Sequence, residues 1–494
     1  MLEKIRTYIL NFLSNSKHIP WLIGLSAGAY PLLKYYNSNF TLRDSVSHFV
    51  VFVLLFLLLP IFVSYLIKII GAKLNDVKKH EDLFFTLINF NFFTFLIIIS
   101  TWGIKNESLL IGTLIATIFS FLLKNYLKKV IVFQLLMALL VVPKLVPDLY
   151  NHFLTNDNWT NLPDDILSVK LKEKPNIYFI QPDGYVNKKT LENQLYGSTS
   201  ILYDWLEDNG FKVYDNFRSN YSASLISNSS IFSMKQHYFG DALFPSIEMP
   251  RARVIISGKN SVVEILKDNG YINYFIVEDE YFQVNLVENK YDFQNIPSKS
   301  ISYFSTGENI KKDVYKDLES VLNKGVTEGK PKFFFIEKVM PHHVHFELSI
   351  EADRKDYLNR INQANTSVKR MVNLINEKDR SAVIIIAADH GGWVGIENYN
   401  DFFSTSNEVL VNSIFSTLCA IKWNGIENSQ FDKKLKSNVN LFRVLFSALS
   451  KNKSYLQHLE EDGSYQLRIE GALGKSVYKL IDEKGNVVNE KIER

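Results

Sequence analysis

A single cysteine, Cys419, stands in 494 residues, so no intramolecular disulfide forms and no CxxC or Cys/His cluster exists to hold a structural zinc. Stability comes from packing. Net charge is only +3, and no dense Lys/Arg run with interleaved aromatics occurs, which argues against nucleic acid as a partner. No small-residue cleavage site follows the first apolar stretch, and further apolar stretches come after it, so a cleavable secretory signal is not expected.

What is abundant is apolar sequence, and it crowds into the first 150 positions. Five stretches approach the roughly 20 residues that a helix needs to cross a bilayer core. They run over 20–36, 46–71, 83–103, 107–124 and 129–147. Basic residues flank them unevenly. Lys4, Arg6 and Lys17 precede the first, Lys73, Lys78 and Lys79 follow the second, and Lys124, Lys128 and Lys129 join the last two; the alternate loops hold little more than Arg43 and Lys105. By the positive-inside rule the amino terminus is cytoplasmic, and an odd number of crossings places everything after about residue 148 outside.

The expected organisation is a transmembrane helical domain at 1–148, a juxtamembrane connector at 149–174, a catalytic domain at 175–450 and a C-terminal extension at 451–494 read as a β-hairpin. Within 175–450, apolar runs such as PNIYFIQPDGY, YINYFIVE, KPKFFFIEKV and SAVIIIAADHG alternate with helical patterns. That alternation predicts an α/β fold with a mainly parallel sheet between helical layers. Ligands of such sheets bind beyond the carboxyl ends of the strands. Asp183 and the Asp389-His390 pair fall at two such ends, and glycines after His390 would let a ligand approach the backbone.

Three oxygen and nitrogen ligands of this kind suit zinc or manganese with a position left for a nucleophile. Seven serines crowd residues 219–234, SNYSASLISNSSIFSM, which turns apolar at helical spacing and should open a helix. A serine at that amino end would face free N–H groups suited to a phosphate. In MPHHVHF, His342, His343 and His345 follow another strand and offer acid, base or phosphate-binding groups.

These residues resemble the alkaline phosphatase superfamily, and within it the membrane-anchored, sulfatase-like branch of lipoteichoic acid synthases and phosphoethanolamine transferases. The resemblance implies metal ligands Asp183, Asp389, His390 and a nucleophile that also binds the metal. Sulfatase-type spacing counted from Ser224 meets Ser227, Ile231-Phe232 and Ser233, so Ser224 is the nucleophile, with Ser222 in reserve. His342, then His343, would serve substrate phosphate. Formylglycine sulfatases require a Pro and an Arg after the nucleophile, and SLISN has neither, so sulfate-ester hydrolysis is disfavoured. Two-metal relatives carry an Asp four residues ahead of a His and a late His; the strand before PHHVH offers Glu337 but no such Asp, and the late His458 falls in a helical stretch, which points to one divalent metal, Zn²⁺ or Mn²⁺.

The implied activity is transfer of a phospho-alcohol, of the phosphoethanolamine or phosphoglycerol type, from a membrane phospholipid donor to an envelope glycan or lipid acceptor through phospho-Ser224. The implied location is a bacterial inner membrane, with catalysis on its outer face. A one-metal hydrolase and a non-catalytic envelope-assembly protein are the alternatives.

Overall fold

The structure, a computed structural model, describes residues 2–15, 17–154, 157–199, 201–240, 249–286, 288–325, 329–470 and 474–493. The chain divides into two compact units, Met1–Phe153 and Leu154–Arg494.

Among the described residues, three helical stretches are long and apolar enough to cross a membrane: Val46–Lys73, Glu81–Trp102 and Asn106–Leu154. The third covers the fourth and fifth expected segments, but it is not one rod. Leu123 leaves helical dihedrals (φ −110°, ψ 12°) and a 3₁₀ turn follows at Lys124–Tyr126. Before that turn the chain runs antiparallel to Glu81–Trp102, since Thr117 reaches Asn91 and Ser120 reaches Thr86. After it the chain runs parallel to that helix, with Leu127 and Ile131 clustered near Phe85 and Gln134 bonded to Asn89. The turn is therefore a reversal. The first expected segment is the helix Pro20–Asn39, diluted by glycine, serine, tyrosine and Pro31, and much of it is buried. It packs on Val46–Lys73 where Pro60, lacking an N–H, follows a π-helical stretch at Val53–Leu58. Gly28 lies so close there that a methyl group would sit 1.6 Å from the Phe56 carbonyl oxygen. Asn89 and Gln134 exchange two hydrogen bonds of 3.0 Å inside this bundle, satisfying polar groups that lipid cannot.

The second unit is built on a seven-stranded sheet in the order β2-β7-β6-β1-β5-β3-β4. The strands are β1 (Ile177–Pro182), β2 (Lys212–Val213), β3 (Ile272–Val277), β4 (Phe293–Gln294), β5 (Lys332–Lys338), β6 (Val383–Ala387) and β7 (Cys419–Lys422). Its centre is parallel, and β7 alone reverses, pairing antiparallel with β6 and β2. The central strands are buried on both faces, which explains their unbroken apolar runs. Alternation assigns Ile177, Phe179, Phe333 and Phe335 to one core and Tyr178, Ile180, Phe334 and Ile336 to the other. The helix Ser224–Ser233 packs in the first core, with Phe232 edge-on to Phe335 at 5.0 Å. The helix Ile350–Lys378 covers the second through Tyr357, Ile361 and Val368.

Two boundaries differ from the sequence expectation. Residues 157–174, read as a connector, are part of the folded unit: Ile166, Val169 and Leu171 enter the core, and Asp164 pairs with the buried Arg443 at 2.6 Å. Polar composition hid three apolar anchors. The C-terminal segment is a three-stranded antiparallel sheet, β8 (Ser464–Glu470), β9 (Gly474–Ile481) and β10 (Val487–Lys491), rather than a hairpin. It is tied in by Tyr465 N–H donating to the Asn220 carbonyl (2.8 Å) and by Arg218, which donates to the carbonyls of Asp462 and Glu483. Residues 155–156 of the expected connector, and 471–473 and 494 of the expected extension, lie outside the described residues.

Candidate active site

Three neighbouring strands, β6, β1 and β5, end on one rim of the sheet. Just past β1, Asp183 donates its N–H to the Lys338 carbonyl (3.0 Å), so it stays in line with the ladder. Gly184 then turns the chain at φ +68°, and a Cβ there would come within 2.8 Å of the His342 backbone. Past β6, Asp389 is fixed by accepting from its neighbour's His390 N–H (3.0 Å) and from Gly184 N–H (3.3 Å). Its carbonyl accepts from Ser227 Oγ (2.6 Å) and Asn438 Nδ2 (3.0 Å).

The glycines after His390 do not open the backbone to a ligand as their position suggested. A Cβ at Gly391 would lie 2.2 Å from the Ser413 carbonyl oxygen, and one at Gly392 would strike the Tyr357 ring. They are there for close packing. Tyr357 uses the contact, donating from its hydroxyl to the Gly184 carbonyl at 2.8 Å.

Asp183, Asp389 and His390, all buried, offer ligand atoms that lie within 4.8 Å of one another. His390 Nδ1 donates to the Gly391 carbonyl (2.8 Å), which leaves Nε2 as the free lone pair. That Nε2 stands 3.2 Å from Asp183 Oδ1 and 3.2 Å from Ser224 Oγ. Ser224 is the first residue of its helix, because Ala223 is still extended (φ −147°, ψ 159°). Its hydroxyl thus sits beside backbone N–H groups without helical partners. Ser222, the reserve, is buried outside the cleft, its carbonyl accepting from Trp393 Nε1 at 3.1 Å.

His342 Nε2 is 3.7 Å from Asp183 Oδ2, while its Nδ1 accepts from His343 N–H, which puts the ring proton on Nε2. His343 donates from Nδ1 to the Val344 carbonyl and stacks on Trp393 at 3.6 Å. His345 joins the exposed edge. His342 and Trp393 both hold positive φ, 62° and 60°, a conformation rare outside glycine and common where a side chain must be aimed. His458 ends a 3₁₀ turn, Lys453–His458, and does not line the cleft.

Charge explains what this cluster lacks. Burial alone would raise Asp183, yet the histidines around it, His342 first, hold it well below the carboxylate range. Asp389 is pushed up to about 6 by burial and by the Asp183 charge, against the pull of His390. His390, which burial would lower, is raised to about 9 by Asp389 and Asp183. Apart from the His390 ring nitrogen 3.2 Å away, Asp183 Oδ1, fully enclosed, has no hydrogen-bond partner. A divalent cation fits this donor set: two carboxylates, one imidazole lone pair and a hydroxyl converge where polar groups are otherwise under-satisfied.

The cleft around them has a volume of about 460 Å³ and also takes in Glu337, Asp279, Lys311 and Arg360. Sequence reading passed over Asp279, Lys311 and Arg360 and used Glu337 only in weighing a second metal. Glu337 interrupts the apolar FFFIEKV run, and that interruption was the available clue. Burial and then the charges of Asp279, Asp183 and Asp389 raise Glu337 well above the usual range.

The Sulfatase family model matches residues 181–449, which spans more than half of the chain and every side chain of the cluster. The chain belongs to the Sulfatase family. No curated protein matches it. Among solved structures, this Sulfatase-family chain is similar to the C-terminal periplasmic domain of EcEptC from Escherichia coli in complex with Zn, at 12% identity, TM-score 0.43, with 63% of this chain and 93% of that one covered. It is also similar to the soluble domain of lipooligosaccharide phosphoethanolamine transferase A from Neisseria meningitidis, at 12% identity and TM-score 0.39, covering 58% and 92%. A Bacteroides thetaiotaomicron protein of glycosaminoglycan metabolism aligns at 11% identity and TM-score 0.43, covering 65% and 89%.

Proposed function

We propose that the protein transfers a phospho-alcohol group from a membrane phospholipid to an envelope glycan or lipid through a covalent intermediate on Ser224. The observation that carries this reading is the placement of Ser224 Oγ: at a helix amino end, 3.2 Å from His390 Nε2, beside two buried carboxylates. Asp183, Asp389, His390 and Ser224 would hold one divalent cation, Zn²⁺ or Mn²⁺, which supplies Lewis-acid polarisation of the phosphate and a more acidic serine.

The chain's own groups do the rest. Ser224 Oγ forms a bond to phosphorus, its charge favoured by the helix N–H groups. The bond to the diacylglycerol oxygen breaks, that oxygen takes up the proton that Ser224 Oγ gives up, and His342, carrying its proton on Nε2, donates a hydrogen bond to the phosphate. An acceptor hydroxyl then attacks the phosphoserine, and its proton goes to Ser224 Oγ as the Oγ–phosphorus bond breaks. His343, locked by Val344 and Trp393, lines the path of the phosphate. The absence of the Pro and Arg that formylglycine maturation needs after Ser224 speaks against sulfate esters.

The apolar helices support a membrane anchor, and the reversal at Lys124–Tyr126 supports reading the third stretch as two of the five expected crossings. With the basic residues on one side, the catalytic unit lies outside the cytoplasmic membrane of a bacterium. A tethered site meets a lipid donor at high effective concentration. Incubating the full chain with head-group-labelled phospholipid should give diacylglycerol and a labelled peptide containing Ser224. Full activity in Ser224→Ala would refute the assignment, and label released only to water would favour the hydrolase.

A further inference from the structure

One wall of the cleft has no part in the chemistry above. Glu337 is the penultimate residue of β5, in register with Gln181 of β1 and Val277 of β3. Asp183 and Asp279 follow those two neighbours, so three carboxylates stand in a row across adjacent strand ends. Strand spacing puts Asp279 roughly 10 Å from Asp183, with Glu337 between. Glu337 is 3% exposed, lines the cleft, and its Oε2 has no hydrogen-bond partner. Asp279, also 3% exposed, accepts from Tyr281 N–H (3.1 Å) and from Lys311 Nζ (3.1 Å).

From this arrangement we infer that Glu337 and Asp279 form a subsite for the primary ammonium of the transferred group, making the protein select an amino-alcohol phosphate over a glycerol phosphate. The inference rests on the phospho-alcohol reading above. A second metal ion is the rival occupant of any acidic cluster. Among the described residues, however, only Asp183, Asp389 and His390 bring three ligand atoms within 4.8 Å, and neither Glu337 nor Asp279 joins them. An ammonium needs no such convergence. It donates three hydrogen bonds to acceptors spread over a wall, as Lys311 already does to Asp279 from a half-exposed side chain. The polarity of the cleft matches a zwitterion: imidazoles and Arg360 at the phosphate end, carboxylates one to two strands away. A glycerol head group would leave the unpartnered Glu337 Oε2 without the cationic donor that an ammonium supplies.

The test uses the full chain in detergent with divalent cation present. Calorimetry compares O-phosphorylethanolamine with glycerol 3-phosphate, and a parallel assay compares diacylglycerol release from phosphatidylethanolamine and phosphatidylglycerol vesicles. The expected result is at least tenfold tighter binding of the amine probe, a preference falling to near unity in Glu337→Gln and in Asp279→Asn. Lys311→Ala should bind the amine probe more tightly, since an internal competitor is gone. Equal binding of the two probes by the unaltered chain, or a preference that survives both carboxylate changes, overturns the subsite. Because binding is read without turnover, a lack of diacylglycerol release would instead count against the transferase reading and leave the probe comparison valid.

Discussion

Two buried carboxylates within 4.8 Å of each other are a strain that a divalent cation relieves, and its size can be worked out. At an effective dielectric of about 20, the Asp183–Asp389 repulsion is about 3.5 kcal/mol. The elevation of Asp389 from 3.8 to about 6, caused by burial first and by the Asp183 charge after it, amounts to about 3 kcal/mol and shows that charge at 389 is unfavourable in the cation-free fold even with His390 beside it. Asp389→Asn keeps the Oδ1 that accepts from Gly184 and His390 but removes the charge. In chelator the variant should therefore melt about 6 °C above the unaltered chain, taking about 2 °C per kcal/mol for a unit of this size. Cation at a hundredfold over its Kd adds about 2.7 kcal/mol, about 5 °C, to the unaltered chain only. Thermal unfolding with and without Zn²⁺ or Mn²⁺ reads both effects. A melting point that ignores cation in the unaltered chain, or rises equally in Asp389→Asn, refutes the reasoning.

The pH dependence has a definite sign. His390 is raised from 6.5 to about 9, so in chelator its contribution is full below about 6.5 and is lost as pH rises through 9; the melting point should fall across that window, and cation, which binds the neutral ring, should flatten the fall. Ser224→Thr keeps a hydroxyl at the first helical position and should retain phosphoserine-type turnover within about tenfold, whereas Ser222→Ala should retain it fully, both read by diacylglycerol release. Gly391→Ala forces a methyl 2.2 Å from the Ser413 carbonyl, backbone against backbone, and should cost about 1–3 kcal/mol of stability, visible as a lower melting point even with cation present.

Period and polarity determined much of this protein in advance. Uncharged runs marked the membrane unit, and strand-ending DG and DHGG marked Asp183, Asp389 and His390, because a buried strand that stops on a carboxylate places it at the sheet's rim. The order of the three strands β1, β5 and β3, by contrast, comes from pairing between residues far apart in the chain, Ile177 with Phe333 and Ile272 with Lys332. It alone makes neighbours of Asp183, Glu337 and Asp279. The helix of Asn106–Leu154 reads as two segments by hydropathy, and only its packing on Asn89 and Phe85 shows that the chain reverses at Lys124–Tyr126. Residues 157–174 look like a linker because three apolar anchors are too few to make a pattern; they are core because the body of the unit offers each one a place. The glycines after His390 were misread for the same reason. A glycine's local freedom is visible in sequence, but what its missing side chain makes room for, here the Ser413 carbonyl and the Tyr357 ring, is decided by distant parts of the chain.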